Sequence, residues 1–450
     1  MTISEALQWG VGQLKKAGVE TPALDAEVLL AHAFRKDRAW LYGHSLEHCN
    51  TVTLRNFKKL VARRVKREPV AYITGHKEFY GLDFLVNRQV LVPRPETEVL
   101  VEEAIREVVS SQESGRQSMV VDVGTGSGAI AVACQYVGRG LVPRRGGGQA
   151  PTLQEDIQFF ATDISRAALR VAKQNARRHG VGERITFLKG NLLEQVFTRS
   201  AILKHGEHYV AAGLVPARAT TRAAALRDAK ASHYTELTCS ARIYPRPSDP
   251  QASHYIIVAN LPYLPTAEWR ATAPEVRTFE PRRALDGGHD GLKYYREMFG
   301  QITNLVSLAL SPPVPSMGVG GVTVKPHRYE QRNRHRTTIA RMTILCELCP
   351  EQFPAFVKMV YSFFPKIKCG RKPAAVDNLP HEKKETNALN LSSGKKLTIV
   401  NNLPGVRNGV IEKKLSSAEI ETVKDLSGRK RVAVVRIGHV AGSREHENHP

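Results

Sequence analysis

Asn260, Leu261, Pro262 and Tyr263 follow directly on Tyr255-Ile256-Ile257-Val258-Ala259, a run of apolar β-forming residues. A strand there delivers an amide, a proline-bounded carbonyl and an aromatic ring to one point at its carboxyl end. Open α/β sheets bind ligands at that end. The Asn oxygen and a free main-chain carbonyl can together accept both N–H bonds of a planar NH2 group, and the ring can pack on its face. That chemistry suits modification of an amide or an exocyclic amino nitrogen. The plain alternative is a strand-to-turn exit, where Asn and Pro are common for backbone reasons.

A second group lies upstream. Met119-Val120-Val121-Asp122 reads as a buried strand, Val123-Gly124-Thr125-Gly126-Ser127-Gly128 as a glycine-rich turn, and Ala129-Ile130-Ala131-Val132-Ala133 as the start of a helix. Such a turn lets the backbone approach a cofactor, with helix N–H groups nearby. NAD, flavin and S-adenosylmethionine enzymes all use one. An acid within the turn, Asp-x-Gly-x-Gly-x-Gly, leans towards S-adenosylmethionine, with Asp122 near the methionine amino group. Phe159-Phe160-Ala161-Thr162-Asp163 is a second strand, whose terminal Asp163 can accept both hydroxyls of a ribose. Ile185-Thr186-Phe187-Leu188 is a third, after which Asn191 and Leu192 are expected to face the adenine.

Strands alternating with helical segments place these residues on a doubly wound, mostly parallel sheet of the α/β class. Before it, residues 1–70 read as a small helical domain. Thr2 and Glu5 form a capping box. Ile3, Leu7, Val11 and Leu14 share one face, and Leu24, Val28, Ala31 and Phe34 another. Leu54, Phe57, Leu60, Val61 and Val65 make a third face, with Lys58, Lys59, Arg63, Arg64, Lys66 and Arg67 pointing elsewhere as a basic flank. Residues 71–98 form a connector whose alternation over 79–92 suggests a β-hairpin.

Some spacings are too long for one compact unit. The acid after a nucleotide-binding glycine turn lies ~20 residues on, whereas Asp163 lies 35 residues after Gly128. Segments 138–153, 199–250 and 312–415 lack periodicity and read as insertions, and disorder is expected there.

The 450-residue chain carries 65 Lys and Arg against 43 Asp and Glu, a net charge of +22 that would suit a polyanionic partner. A hydrophobic fraction of 42% is ample for a core. No apolar run reaches the ~20 residues that span a bilayer. The start resembles neither a signal nor a transit peptide, so a cytoplasmic protein without membrane contact is expected. Six scattered Cys give no disulfide framework. Cys346 and Cys349 form a lone CxxC without a second ligand pair, so no metal site is expected.

Taken in order, five motifs resemble those of the peptide chain release factor N5-glutamine methyltransferases, the HemK/PrmC group. They are Tyr72-Ile73-Thr74-Gly75, Val92-Pro93-Arg94-Pro95-Glu96-Thr97-Glu98, the glycine turn, Asn260-Leu261-Pro262-Tyr263, and the Glu280-Pro281-Arg282-Arg283-Ala284-Leu285-Asp286-Gly287-Gly288 stretch with Asp290-Gly291. The resemblance covers about 1–137, 155–195, 254–310 and a tail near 418–437.

It implies a class I S-adenosylmethionine-dependent, Rossmann-like fold over 99–310 and 416–440, behind an N-terminal helical recognition domain. It further implies methylation of the glutamine side chain in the Gly-Gly-Gln loop of class I release factors. Asn260, Pro262 and Tyr263 would act in catalysis and, with Leu261, bind the substrate amide. Asp122, Gly124, Thr125, Gly126, Ser127, Gly128, Asp163, Asn191, Leu192, Asn260, Thr97 and Glu98 would hold the cofactor. Arg94 would order the connector through an ion pair.

Leu261 stands where the group has its first Pro, and Asn-Leu-Pro-Tyr also occurs in rRNA adenine methyltransferases. A nucleic-acid adenine-N6 methyltransferase is therefore the alternative, and an insertion-disrupted, non-catalytic homologue a third reading. After Leu310 only Gly320-Gly321-Val322-Thr323-Val324 resembles the next strand, so the sixth strand is expected to be missing or displaced.

Overall fold

The structure, a computed structural model, describes residues 1–115, 117–138, 157–196, 253–310, 341–364, 397–400, 414–415, 417–438 and 440–441. The 138–153 and 199–250 segments fall almost wholly outside these residues.

The chain opens with five helices, α1 (Ile3–Lys16), α2 (Pro22–Phe34), α3 (Arg38–Gly43), α4 (Thr51–Val65) and α5 (Val70–Thr74). The Thr2–Glu5 capping box starts α1, Pro22 occupies the first turn of α2, and the Asn50 side chain caps α4. Ile3, Leu14, Leu29, Leu30, Phe57 and Val61 close a core between α1, α2 and α4. The expected face of α2 is met only in part: Ala31 is buried, but so are Ala26, Leu29 and Leu30 outside it, while Leu24 is exposed. Two apolar stripes fit this helix, and packing against α4 selects one.

The basic flank is also corrected. Arg64 is buried, pairing with Asp25 at 2.6 Å and with Glu275 at 2.9 Å. Arg67 pairs with Glu275 at 2.7 Å, and Arg63 with Glu68 at 2.8 Å.

The connector holds a hairpin of β1 (His76–Phe79) and β2 (Leu82–Leu85), turning at Tyr80 and Gly81. It is shorter and earlier than the 79–92 alternation suggested. Residues 90–92 instead lie in irregular chain, with Tyr72 Oη donating to the Val90 carbonyl at 2.6 Å.

The main sheet follows: α6 (Glu98–Glu113), β3 (Gln117–Val123), α7 (Ala129–Val137), β4 (Gln158–Asp163), α8 (Arg166–Arg178), β5 (Ile185–Lys189) and β6 (Ser253–Ala259). Then come α9 (Thr266–Ala271), α10 (Pro274–Phe279), α11 (Lys293–Leu310), β7 (Arg341–Glu347), α12 (Phe353–Phe363) and β8 (Leu397–Val400). Next, β9 (Lys414–Leu415) pairs with β12 (Val440–Ala441), and β10 (Ser417–Lys424) with β11 (Lys430–Ile437). The eight-stranded order is β5-β4-β3-β6-β7-β11-β10-β8. It is parallel from β5 to β7 and antiparallel beyond. This is the doubly wound, mostly parallel sheet expected.

Alternate residues feed two cores. Val120, Ile256, Val258, Leu345 and Val434 pack on the side of α6, α7 and α8. Val121, Ile257, Ile344, Cys346 and Val435 pack on the side of α11 and α12. Burial on both faces is why these strands read as continuous apolar runs.

The sixth strand is present. β7 lies between β6 and β11, with Ile344 opposite Ile257 and Leu345 opposite Val434. It is displaced along the chain, to Arg341–Glu347, and the expectation that it was missing is overturned. So is the reading of 312–415 as one insertion, because β7 and α12 lie within it. The strand was passed over because it begins at Arg341, 31 residues beyond Leu310 at the end of α11.

Candidate active site

The chain steps from β3 outwards to β4 and β5, then returns to the other side of β3 with β6. The carboxyl ends of β3 and β6 therefore open at the switch point where such sheets bind ligands. Val123 registers with Ala259, so Gly124 and Asn260 leave the sheet side by side. A Cβ on Gly124 would stand 3.2 Å from Leu261 Cδ2, so the two loops meet at a glycine.

Gly124, Gly126 and Gly128 all have positive φ, a backbone that L side chains rarely adopt. The turn is fastened to β4 by Thr125 N–H donating to the Thr162 carbonyl at 2.9 Å. Asp122 lies beneath it, buried, accepting from Thr125 Oγ1 at 2.6 Å and Ala131 N–H at 3.2 Å through Oδ2. Its Oδ1 has no partner among the described residues. Burial pushes this carboxyl up to about 7, against the pull of the Thr125 and Ala131 hydrogen bonds.

Asp163, at the end of β4, accepts from Gly126 N–H at 3.0 Å and Ser165 N–H at 2.8 Å. Burial raises its pKa while those two N–H groups lower it. Ser127 is anchored from behind, its carbonyl accepting from Asn175 Nδ2 at 2.8 Å.

After β5, Leu192 is buried and takes a left-handed backbone, φ 55°. Asn191 turns its side-chain amide to Glu297 on α11, so that amide is engaged in holding α11.

Asn260 Nδ2 donates to Thr97 Oγ1 at 3.0 Å, which leaves Oδ1 as its acceptor. Tyr263 is held at both ends. Its hydroxyl donates to Glu347 Oε1 at 3.2 Å, and its carbonyl accepts from Gln352 Nε2 at 2.6 Å. Burial, then the charge of Glu347, raise the phenol pKa. The loop from Asp286 to Gly291 closes over this segment, with Leu264 N–H on the Leu285 carbonyl and Gly287 N–H on the Leu264 carbonyl. A Cβ on Gly287 would stand 2.5 Å from the Pro262 carbonyl oxygen, and one on Gly291 2.0 Å from that of Tyr263. Gly287 and Gly291 of the Asp-Gly-Gly-x-Asp-Gly stretch are thus needed for close backbone approach.

Glu98 Oε1 accepts from Tyr80 N–H at 2.9 Å, tying α6 to the connector turn. Arg94 pairs with Glu280, as the resemblance implied.

Glu347 was missed, together with Gln352. Glu347 ends β7, is 1% exposed, and burial pushes it up to about 7. Its signal is close to that of Asn260: a polar residue closing a mostly apolar strand, Met342-Thr343-Ile344-Leu345-Cys346. Cys346 is buried within β7, and Cys349 starts the short turn at Pro350.

Residues 5–75 match the family model described as the PrmC N-terminal domain. A release factor glutamine methyltransferase of Geobacter sulfurreducens is 36% identical over 295 residues, covering 66% of this chain and 77% of that protein. The chain belongs to the release factor glutamine methyltransferase family. A second member, from Moorella thermoacetica, is 35% identical over 296 residues, with 66% and 78% coverage. Family and fold together imply a methyl donor of the S-adenosylmethionine type. The site fits one: a turn whose three glycines hold a left-handed backbone, a buried Asp122 oxygen without a partner among the described residues, and a carboxylate at the end of β4.

Proposed function

We propose that this protein transfers a methyl group from S-adenosylmethionine to the side-chain amide nitrogen of the glutamine in the Gly-Gly-Gln loop of class I peptide chain release factors. The reading is supported by family membership and by one observation above all. Asn260 stands at the switch point with its NH2 end committed to Thr97, so an acceptor is presented where a substrate NH2 group has to be bound.

Asp122 would take the amino group of the donor, Asp163 its ribose hydroxyls, and the turn from Gly124 to Gly128 its backbone. Asn191 and Leu192 would border the adenine, with Thr97 and Glu98 shaping the pocket from below. When bound, the donor supplies an electrophilic methyl group.

An amide nitrogen is a poor nucleophile because its lone pair is delocalised into the carbonyl. Asn260 Oδ1 and a main-chain carbonyl at Leu261 or Pro262 would accept its two N–H bonds. They thereby fix the nitrogen and favour pyramidalisation as positive charge develops on it. Tyr263, held at both ends, would pack on the amide plane. No strong base is needed beforehand, because the proton leaves the cationic product.

The helical domain over 1–70 would engage the release factor, in the cytoplasm, where termination occurs. The test is mass spectrometry of a purified class I release factor after incubation with enzyme and S-adenosylmethionine. One added methyl on the Gly-Gly-Gln glutamine, and none on a factor with Glu in that place, is expected. A methyl elsewhere, or on the Glu variant, contradicts the reading.

A further inference from the structure

Leu426 is 94% exposed, the most open large apolar side chain among the described residues. A single leucine on a surface is ordinary composition. Two further features set this one apart, its rigid mounting and its place.

The mounting is the turn between β10 and β11. Asp425 Oδ1 accepts from Ser427 N–H at 2.9 Å, Ser427 Oγ at 2.6 Å and Arg429 N–H at 3.0 Å, and its Oδ2 accepts from Arg431 Nε at 3.0 Å. Asp425 N–H donates to the Arg429 carbonyl at 2.8 Å, and Gly428 N–H to the Asp425 carbonyl at 2.9 Å. Gly428 supplies the positive φ, 79°, that the turn requires. So fastened, the turn holds Leu426 in water and does not let it fold back on the protein.

The place is the carboxyl end of the sheet. Val432 lies opposite Glu347, and Ala433 opposite Cys346, which lies beside Ala259. Leu348 N–H donates to the Arg431 carbonyl at 2.9 Å, and the Tyr263 hydroxyl to Glu347 Oε1 at 3.2 Å. The hairpin thus runs on past the end of β7, at the end of the sheet where Asn260 leaves β6. Strand spacing and rise put its tip on the order of 15 Å from Asn260. A standard protein interface covers about 800 Å² on each partner, a disc of roughly 16 Å radius. A protein whose glutamine reaches Asn260 therefore spreads as far as the tip.

We propose that the 425–430 hairpin tip is a docking contact for the protein substrate, with Leu426 entering an apolar recess on the face of the release factor around its Gly-Gly-Gln loop. This rests on the reading of the site as a release factor methyltransferase. The contact is separate from the helical domain and steers the approach of the glutamine without touching the chemistry. Arg429 and Lys430 beside it would serve a protein or a nucleic acid. Leu426 offers a nucleic acid neither charge nor a stacking face, and so selects a protein. Because the tip is fixed before the partner arrives, little ordering cost opposes burial of the side chain.

The experiment measures kcat and KM for methyl transfer to a purified class I release factor, using the full chain as wild type, Leu426→Met, Leu426→Ala, Leu426→Asp and Asp425→Ala. Titration calorimetry with S-adenosylmethionine, urea unfolding and sedimentation velocity accompany it. KM is expected to rise roughly 10-fold in Leu426→Ala, further in Leu426→Asp, and hardly at all in Leu426→Met. Asp425→Ala, which loosens the tip and keeps the leucine, should raise KM by about threefold. In the Leu426 variants kcat and donor affinity should stay within about twofold of wild type, and the unfolding midpoint should not move, because the side chain is exposed in the free protein.

An active wild type whose KM is unchanged in both Leu426→Ala and Leu426→Asp overturns the inference. So does a loss confined to kcat or to donor affinity. A wild-type dimer that Leu426→Asp splits would assign the tip to a second copy of this chain and overturn it as well. A folded wild type that transfers no methyl group to the release factor overturns the functional reading, and the inference with it.

Discussion

At the scale of single residues, the site is made of polar groups that end apolar strands. Asn260 after β6 and Asp163 at the end of β4 were legible for that reason: a mostly apolar strand, then an amide or an acid. Glu347 obeys the same rule after Met342–Cys346 but was not found, because its strand lies deep in a stretch read as an insertion. Thr97 was placed in the cofactor pocket, and its bond to Asn260 adds an orienting role that no spacing shows.

Two consequences belong here. Replacing Asp163 with Ala removes a charged acceptor, so the dissociation constant for S-adenosylmethionine should rise by roughly 10- to 100-fold in titration calorimetry. The kcat at saturating donor should change far less. Asp122 gives a pH effect. Its folded pKa, about 7, lies above its ordinary 3.8, so the neutral acid is the form the fold favours. That stabilisation is complete below the ordinary value and is lost as pH rises through about 7. Urea unfolding at about pH 5 and about pH 8 should show wild type losing stability relative to Asp122→Asn at the higher pH.

At the scale of elements, alternation and capping located most helices and strands, while faces and edges were set by partners remote in sequence. α4 is the example. Its last turns carry Arg63, Arg64 and Arg67 nearby, and a run of cations reads as a solvated flank until their partners are known. Glu275 of α10 and Asp25 of α2 are those partners, and no local pattern connects them. The same cluster joins the helical domain to α10, on the stretch that follows Tyr263. Changing Glu275 to Ala removes a carboxylate shared by Arg64 and Arg67. We expect a loss on the order of 2 kcal/mol in urea unfolding. We also expect a higher KM for the release factor with little change in donor affinity. Full stability in that variant would show that the cluster is not what fastens the domain.

For the whole molecule, the order of motifs along the chain carried the family and the fold, and the strand order β5-β4-β3-β6-β7-β11-β10-β8 agrees with it. The net charge of +22 is the whole-chain property that says least about the site. Taken alone it favours a nucleic-acid partner, yet several of the cations that suggested a binding surface are paired within the protein. No helix among the described residues is long and apolar enough to cross a membrane. The central claim is that the cleft between β3 and β6 methylates a protein amide. Its most direct test is transfer of labelled methyl from S-adenosylmethionine to a class I release factor, with rRNA and DNA alongside and Asn260→Ala as control. Label on the release factor alone, falling about 10²- to 10³-fold in Asn260→Ala, is the expected result. Label on nucleic acid but not on the release factor, or transfer undiminished in Asn260→Ala, would contradict it.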